Sequence, residues 1–389
     1  MKFNFEFKDC TNSKGNKKLI NKHQFHTMKK IILFISIIYS FNEANAQKDS
    51  IPEEQIDFSQ FADMGMADGA KRYCTSKVLG LSPNKLITVA YDYQGAHDFT
   101  NTDPYANGTT YIKDGNAKIN SSGGLRLVAN VPVLSNTKWL INLGGTYWRN
   151  GYSMGSHTAA NYVTHNLTHH GLTTIGLNTT IFKPLNEKNF ILFFGSADAN
   201  GDYNLSDDKI GEYLLKPKLT AAGFYGWKRN DYSMFAIGFS HSYRPGAKGY
   251  LPLILFNHTF QNRKWGIEAV FPSRFAVRRT FSPRTLLFFG YELEGNSYTM
   301  LNRTSGANYN AAYNDLELRR SEIRPRITFE KAITDFIWVS AQVGYRLNYN
   351  FNIDQGDILR LIGSDKPYYM ENTLTNPIYF QIGINLVSP

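Results

Sequence analysis

Apolar and polar residues alternate with a period of two over most of the second half of this chain. Between Asn314 and Phe351 the pattern is cleanest. Ile323, Pro325, Ile327 and Phe329 share one face of an extended strand, and Glu322, Arg324, Arg326, Thr328 and Glu330 share the other. After a turn at 332–334 the alternation returns. Ile337, Val339, Ala341, Val343, Tyr345, Leu347 and Tyr349 lie opposite Ser340, Gln342, Gly344, Arg346, Asn348 and Asn350. A strand places successive side chains on opposite faces of a sheet. An apolar face of this length needs lipid or a second sheet against it. A face this rich in Arg and Glu needs water or its own counter-charges.

Similar alternation predicts strands at 85–95, 118–133, 138–149, 167–183, 189–202, 214–228, 232–244, 252–260, 263–271, 274–280, 285–300, 313–330, 335–350 and 377–387. Ile87, Val89, Tyr91 and Tyr93 oppose Thr88, Ala90, Asp92 and Gln94; Phe235, Ile237, Phe239 and Tyr243 oppose Ala236, Gly238, Ser240 and Ser242. Short turns at 134–137, 184–188, 229–231, 261–262, 282–284 and 331–334 alternate with long loops at 96–117, 150–166, 203–213, 245–251, 301–312 and 351–376. Only the link Pro272–Ser273 departs from this rule. Short turns at one end and long loops at the other are the asymmetry of outer-membrane barrels. The expected fold is therefore all-β: a single antiparallel transmembrane β-barrel of about 14 strands, with both termini periplasmic. The count falls to twelve if the short pair within 263–280 does not span. A soluble β-sandwich would alternate too, but with shorter strands and without the segregation of its long loops.

The beginning of the chain reads differently. Lys29 and Lys30 precede the apolar run Ile31–Phe41, and Ala44-Asn45-Ala46 gives a small-x-small cleavage site. Residues 1–46 are expected to be a leader and signal peptide starting at Met28 and cleaved after Ala46. Residues 47–83 are expected to be a periplasmic N-terminal extension: a partly ordered arm, a short helix or a small hatch in the lumen. The barrel would occupy 84–389. The whole chain carries +10, with 42 basic and 32 acidic residues. The leader holds 8 of the basic and 3 of the acidic ones, so the remainder carries 34 against 29, or +5. This modest, dispersed excess accompanies no recognisable module, so nucleic acid is not an expected partner. Cys10 lies in the leader, leaving Cys74 alone without a disulfide partner. Aromatic residues make up 14%, with 24 Tyr, 27 Phe and 31 Gly, as membrane barrels with interfacial girdles require.

Four segments carry a family resemblance. They are Ser82-Pro83-Asn84-Lys85-Leu86 leading into Tyr91-Asp92-Tyr93; Lys264 to Pro272; and Tyr291 to Tyr298 with Glu322-Ile323-Arg324-Pro325. Over roughly residues 80–389 the chain resembles uncharacterised outer-membrane β-barrel proteins of Bacteroidota-type bacteria. The resemblance implies a fold and a place, the outer membrane of a Gram-negative bacterium, and no activity. The chain departs from many such barrels in ending Leu386-Val387-Ser388-Pro389, without a terminal aromatic residue.

With the odd residues facing lipid, the even ones line the lumen. That arc holds Glu268, Arg274, Arg278, Glu292, Glu294, Glu322, Arg324, Arg326 and Arg346. It can serve as a charged constriction that selects solutes, or as an Arg–Glu ladder that fills the lumen; charge pairing governs both. The opposite wall carries Thr88, Ala90, Asn142, Gly144, Ala236 and Gly238, whose small side chains are expected to leave an aqueous path. His157, His165, His169 and His170 share a loop but lack the spacing of a metal site. There is no G-x-S-x-G, H-E-x-x-H or P-loop, so neither metal nor cofactor is expected and the enzyme reading is weak. The expected function is a passive channel or conduit for small solutes. A non-conducting structural or surface-binding barrel and a barrel hydrolase are the alternatives. Its expected partners are outer-membrane lipid, the outer-membrane assembly machinery and small solutes.

Overall fold

The computed structural model describes residues 73–102, 115–157, 162–242, 249–303, 314–355 and 368–388. Seventeen strands follow in order: β1 Lys85–Gln94, β2 His97–Thr102, β3 Gly115–Ser135, β4 Leu140–His157, β5 Leu172–Pro184, β6 Asn189–Gly201, β7 Lys218–Asn230, β8 Ser233–Ser242 and β9 Gly249–Thr259. The second half adds β10 Trp265–Phe271, β11 Arg274–Ser282, β12 Thr285–Met300, β13 Leu316–Ala332, β14 Ile337–Tyr345, β15 Leu347–Gln355, β16 Tyr368–Leu374 and β17 Ile378–Val387. Among the described residues two helices, α1 (Tyr162–His169) and α2 (Ile210–Leu214), lie in long connections.

From β3 to β14 each strand pairs antiparallel with the next in the chain; β15 pairs with β13 and β16, β2 with β16 and β3, β17 with β14, and β1 with β3 and β17, from Lys85 opposite Val387 to Gln94 opposite Tyr379. The sheet is thus a closed barrel. Three of its staves are broken: β1 from β2 at 95–96, β14 from β15 at Arg346, and β16 from β17 at 375–377. Counting each broken stave once gives fourteen, as the alternation predicts. Closure leaves no edge strand with unpaired backbone groups, which is what allows a sheet to sit in lipid.

The outer face is the apolar one. Leu177, Phe193, Ile237, Phe239, Ile382 and Ile384 are each at least 40% exposed and point away from the lumen. A belt of large apolar side chains around the full circumference cannot be left to water at ~25 cal/mol per Å2. It is the lipid-facing surface of a transmembrane barrel.

The lumen differs from the sequence expectation on one wall. Ala90 and Ala236 do line it, but their small size makes room for protein and not for water. A Cβ on Gly238 would stand 2.5 Å from the Phe224 ring, and one on Gly226 would overlap the Phe190 ring. Gly144 is likewise filled, by the Asn178 amide. Phe182, Phe190, Phe224, Met234, Leu253 and Leu255 form an apolar core inside the barrel, and Cys74 and Val78 insert into it. Among the described residues, bulky side chains on adjacent staves thus occupy the space beside Gly144 and Gly238 that parity alone assigned to an aqueous path.

Cys74 and Val78 belong to the stretch 73–83, which enters the barrel at its short-turn end. Cys74 N donates to Asn186 O and Leu79 N to Asp231 O, both in short turns. Lys228 Nζ reaches Thr75 Oγ1 at 2.6 Å and Lys77 O at 2.8 Å. We call this inserted stretch the hatch. The leader (1–46) and residues 47–72 lie outside the described residues, as do Tyr243 and the side chain of His157.

Boundaries also move: β2, β16, the end of β4 and the end of β15 lie in stretches expected to be long loops. The strand expected from 167 begins at Leu172, because 162–169 forms α1, whose Val163 and Leu167 pack into a loop-end core. That core includes Phe351 and Ile353, from the stretch 351–376 expected to be a loop; continuing the odd-outward pattern of 337–349 would have pointed them at lipid. A bulge in the β13–β15 register between Ser321 and Glu322 shifts the pairing and turns both side chains inward.

Candidate functional site: the charged lumen

Of the nine residues read from parity as a lumen arc, eight lie on β10–β13 and Arg346 lies at the break between β14 and β15. Strand register explains their contacts. Glu292 stands opposite Arg324, and Glu294 opposite Glu322. Two like charges across from each other are unfavourable, so the side chains pair diagonally. Arg324 Nη1 lies 2.5 Å from Glu294 Oε2, while Arg324 Nε also donates to Glu322. Arg326 Nη1 donates to Glu292 Oε2.

Several partners lie outside that arc. Arg346 Nη2 is 2.6 Å from Asp92 Oδ1 on β1. Arg126 on β3 reaches across to Glu294 at 3.3 Å, and Arg320 holds Glu322 at 2.9 Å. Aromatic rings complete the packing. Arg126, Arg320 and Arg324 lie 5.4, 5.0 and 5.9 Å from the centroid of Trp148; Arg324 and Arg346 lie 5.4 and 5.1 Å from that of Tyr379. Guanidinium planes over ring faces supply attraction where water is excluded. Arg324, Arg346 and Glu322 are fully buried. Each would cost several kcal/mol without such partners.

Strand parity could have supplied Asp92, Arg126 and Trp148, since each occupies an inward position of an expected strand. What it could not supply is which wall each would reach.

Lower in the barrel a second group of pairs stands near the short-turn end. Arg278 Nε binds Glu268 Oε1 at 2.9 Å, and Glu268 Oε2 accepts a hydrogen bond from Ser82 of the hatch at 2.8 Å. Lys85 Nζ lies 2.5 Å from Glu330. Ser82, Lys85, Glu268 and Glu330, with Arg274, Arg326, Thr328 and Gln342, line a polar cavity of about 160 Å3. A second cavity of about 60 Å3 is bounded by Arg126, Trp148, Thr174, Asp198, Glu292 and Glu294. Arg326 lines the first and Glu292 the second, so one ion pair stands between them. Its members are 25% and 29% exposed, whereas Arg324 and Arg346 are sealed.

The long-loop mouth is drawn together. The upper end of β12 leans across the lumen to meet β6, with Thr299 beside Gly201. Lys218 on β7 lies 2.8 Å from Glu317 on β13. Beyond the strands, Asp202 is a hub. Its carboxylate accepts hydrogen bonds from Tyr213 Oη (2.5 Å), Asn166 Nδ2 (2.6 Å) and Leu301 N (3.2 Å). Arg303 Nη2 binds Asp202 O at 2.8 Å and Asp207 Oδ2 at 2.7 Å. Burial pushes the Asp202 carboxyl up to about 7, against the pull of Tyr213 and Arg303.

The histidines do not converge. His165 and His169 stack at 4.2 Å, with His169 Nδ1 donating to His165 O, while His170 turns to Asp207 at 3.8 Å. Among the described residues no three His, Cys, Asp or Glu side chains surround one point.

No family model and no curated protein matches the chain. Among solved structures it is similar to an outer-membrane channel from Pseudomonas putida, at 15% identity over 79% of this chain and 97% of that one, with a TM-score of 0.33. It is similar to the NanC porin at 9% identity over 78% and 100%, with a TM-score of 0.32. It is also similar to the outer-membrane protease OmpT of Escherichia coli at 11% identity over 81% and 100%, with a TM-score of 0.27. At these values the likeness transfers no residue role and no substrate.

Proposed function

We propose that this chain is an outer-membrane barrel of a Gram-negative bacterium, of the Bacteroidota-type group its strand sequences resemble, and that it conducts small polar solutes through a charge-paired constriction. The observation that carries the reading is the pair of polar cavities on either side of Arg326–Glu292. A lumen meant only to be filled would be expected to seal this pair as it seals Arg324 and Arg346. A partly exposed ion pair can exchange its partner for a passing solute at little cost, because exposed pairs contribute only about 0–1 kcal/mol. Solute would move between the short-turn mouth beside the hatch and the long-loop mouth beside β12.

A non-conducting barrel is the second reading. It is favoured by the β6–β12 contact and the Lys218–Glu317 pair, which narrow the long-loop mouth. Liposome swelling separates the two. Vesicles carrying the folded protein should swell in isotonic solutions of small neutral sugars and amino acids at a rate that falls with solute size. Swelling indistinguishable from empty vesicles for every solute would leave the non-conducting barrel.

A further inference from the structure

We infer that the larger lumen cavity is an anion site, with the guanidinium of Arg274 as its principal ligand, and that the solutes admitted are small carboxylates or phosphates. The inference rests on the conduit reading for access and adds the class of solute.

Charge accounting around the cavity carries the argument. Three carboxylates serve its wall, and each has a cation: Glu330 has Lys85, Glu268 has Arg278, and Glu292 has Arg326. Arg274 is a fourth guanidinium. Among the described residues, no carboxylate forms an ion pair with it. Its cross-strand neighbour is Glu292, but that carboxylate is already bonded to Arg326. The backbone cannot carry Arg274 elsewhere, because Leu293 N donates to Ser273 O at 2.8 Å and ties the β10–β11 turn to β12. The cavity therefore has one surplus positive charge, presented by an exposed side chain on its wall.

The ligand class follows from that surplus. A guanidinium offers two parallel N–H donors matched to the oxygens of a carboxylate or phosphate. Arg326 has further N–H groups beyond the one given to Glu292. The cavity volume, about 160 Å3, suits a small organic acid or inorganic oxyanion. A cation entering the same space would meet Arg274 with no carboxylate left to receive it.

Arg274→Gln removes the surplus charge without orphaning a partner, so the fold should persist. Two measurements are made on folded wild type and Arg274→Gln. The first is the reversal potential in planar bilayers under a KCl gradient. Wild type should be anion-selective, and Arg274→Gln should lose most of that selectivity. The second is calorimetric titration of citrate and of inorganic phosphate in micelles, which needs no conduction and separates the two oxyanion sources. At least one should bind wild type and bind Arg274→Gln about tenfold or more weakly. Binding without any conductance would uphold the anion site while removing the conduit. Conductance with no anion preference, together with equal or absent binding in both proteins, would overturn the anion site and leave the conduit standing.

Discussion

Lys218 Nζ and Glu317 Oε2 lie 2.8 Å apart although their strands, β7 and β13, are separated in the barrel wall by β8 to β12. Contact across the lumen is possible because β10 and β11 are only 7 and 9 residues long. With no wall of full height beside it, the upper end of β12 leans inward until Thr299 meets Gly201. The two side chains are 6% and 3% exposed. Changing one alone strands a buried charge, so Lys218→Met or Glu317→Leu should each destabilise the barrel by about 3–5 kcal/mol. The double variant should recover much of that loss. Guanidinium unfolding in micelles, run as a double-mutant cycle, measures the coupling.

Trp148 is the shared wall for three guanidiniums. Trp148→Ala should cost about 3–5 kcal/mol through the lost packing alone, and it removes the ring face from Arg126, Arg320 and Arg324. Trp148→Phe keeps an aromatic face and should cost less. Melting of the heat-modifiable folded band on gels provides the comparison.

Asp202 gives the loop hub a pH dependence of definite sign. Its folded carboxyl sits at about 7, against an ordinary 3.8. Its favourable contribution is therefore complete below about pH 4 and is lost as pH rises through 7. Around it stand Tyr213, whose phenol burial holds up, together with Arg303, Asp207 and His170. His170 is held below its usual range by burial, so it acts in the opposite direction, losing stability as pH falls. Comparing Asp202→Asn with the parent at each pH cancels that contribution. The parent should lose more melting temperature than Asp202→Asn between pH 5.5 and pH 8, a window estimated from carboxyl and imidazole titration.

Cys74 reports on the hatch. The residue is buried, and burial raises the pKa of its thiol. In a chain carrying Cys10→Ser, maleimide labelling of the folded barrel should be slow. Lys228→Ala removes the contacts to Thr75 and Lys77 and should accelerate labelling several-fold, approaching the rate of the unfolded chain if the hatch swings free. Equal rates in both proteins would mean that Lys228 does not hold it.

Most of the barrel was legible because a period of two is a local property. Ile327 and Phe329 face out and Arg324 and Arg326 face in for reasons contained within nine residues. Strand count and closure followed from turn spacing. Two kinds of information were not local. The inward turn of Phe351 and Ile353 depends on a bulge in the pairing with β13, which alternation along one strand cannot reveal. Contacts across the lumen depend on barrel diameter and strand lean, so Arg126 to Glu294 and Arg346 to Asp92 were beyond reach even with both ends assigned to the correct face. The small residues opposite the charged arc misled for a related reason. Gly238 and Ala236 make room for Phe224 and the hatch, and volume is a property of neighbouring staves taken together.

Single-channel recording of wild type beside Arg326→Ala tests the central claim, that the Arg326–Glu292 pair is the constriction of a conducting lumen. Wild type should give small, resolved conductance steps, and Arg326→Ala should give steps several-fold larger, since the pair that divides the two cavities is gone. Folded protein of both kinds that inserts into bilayers and passes no current would contradict the account.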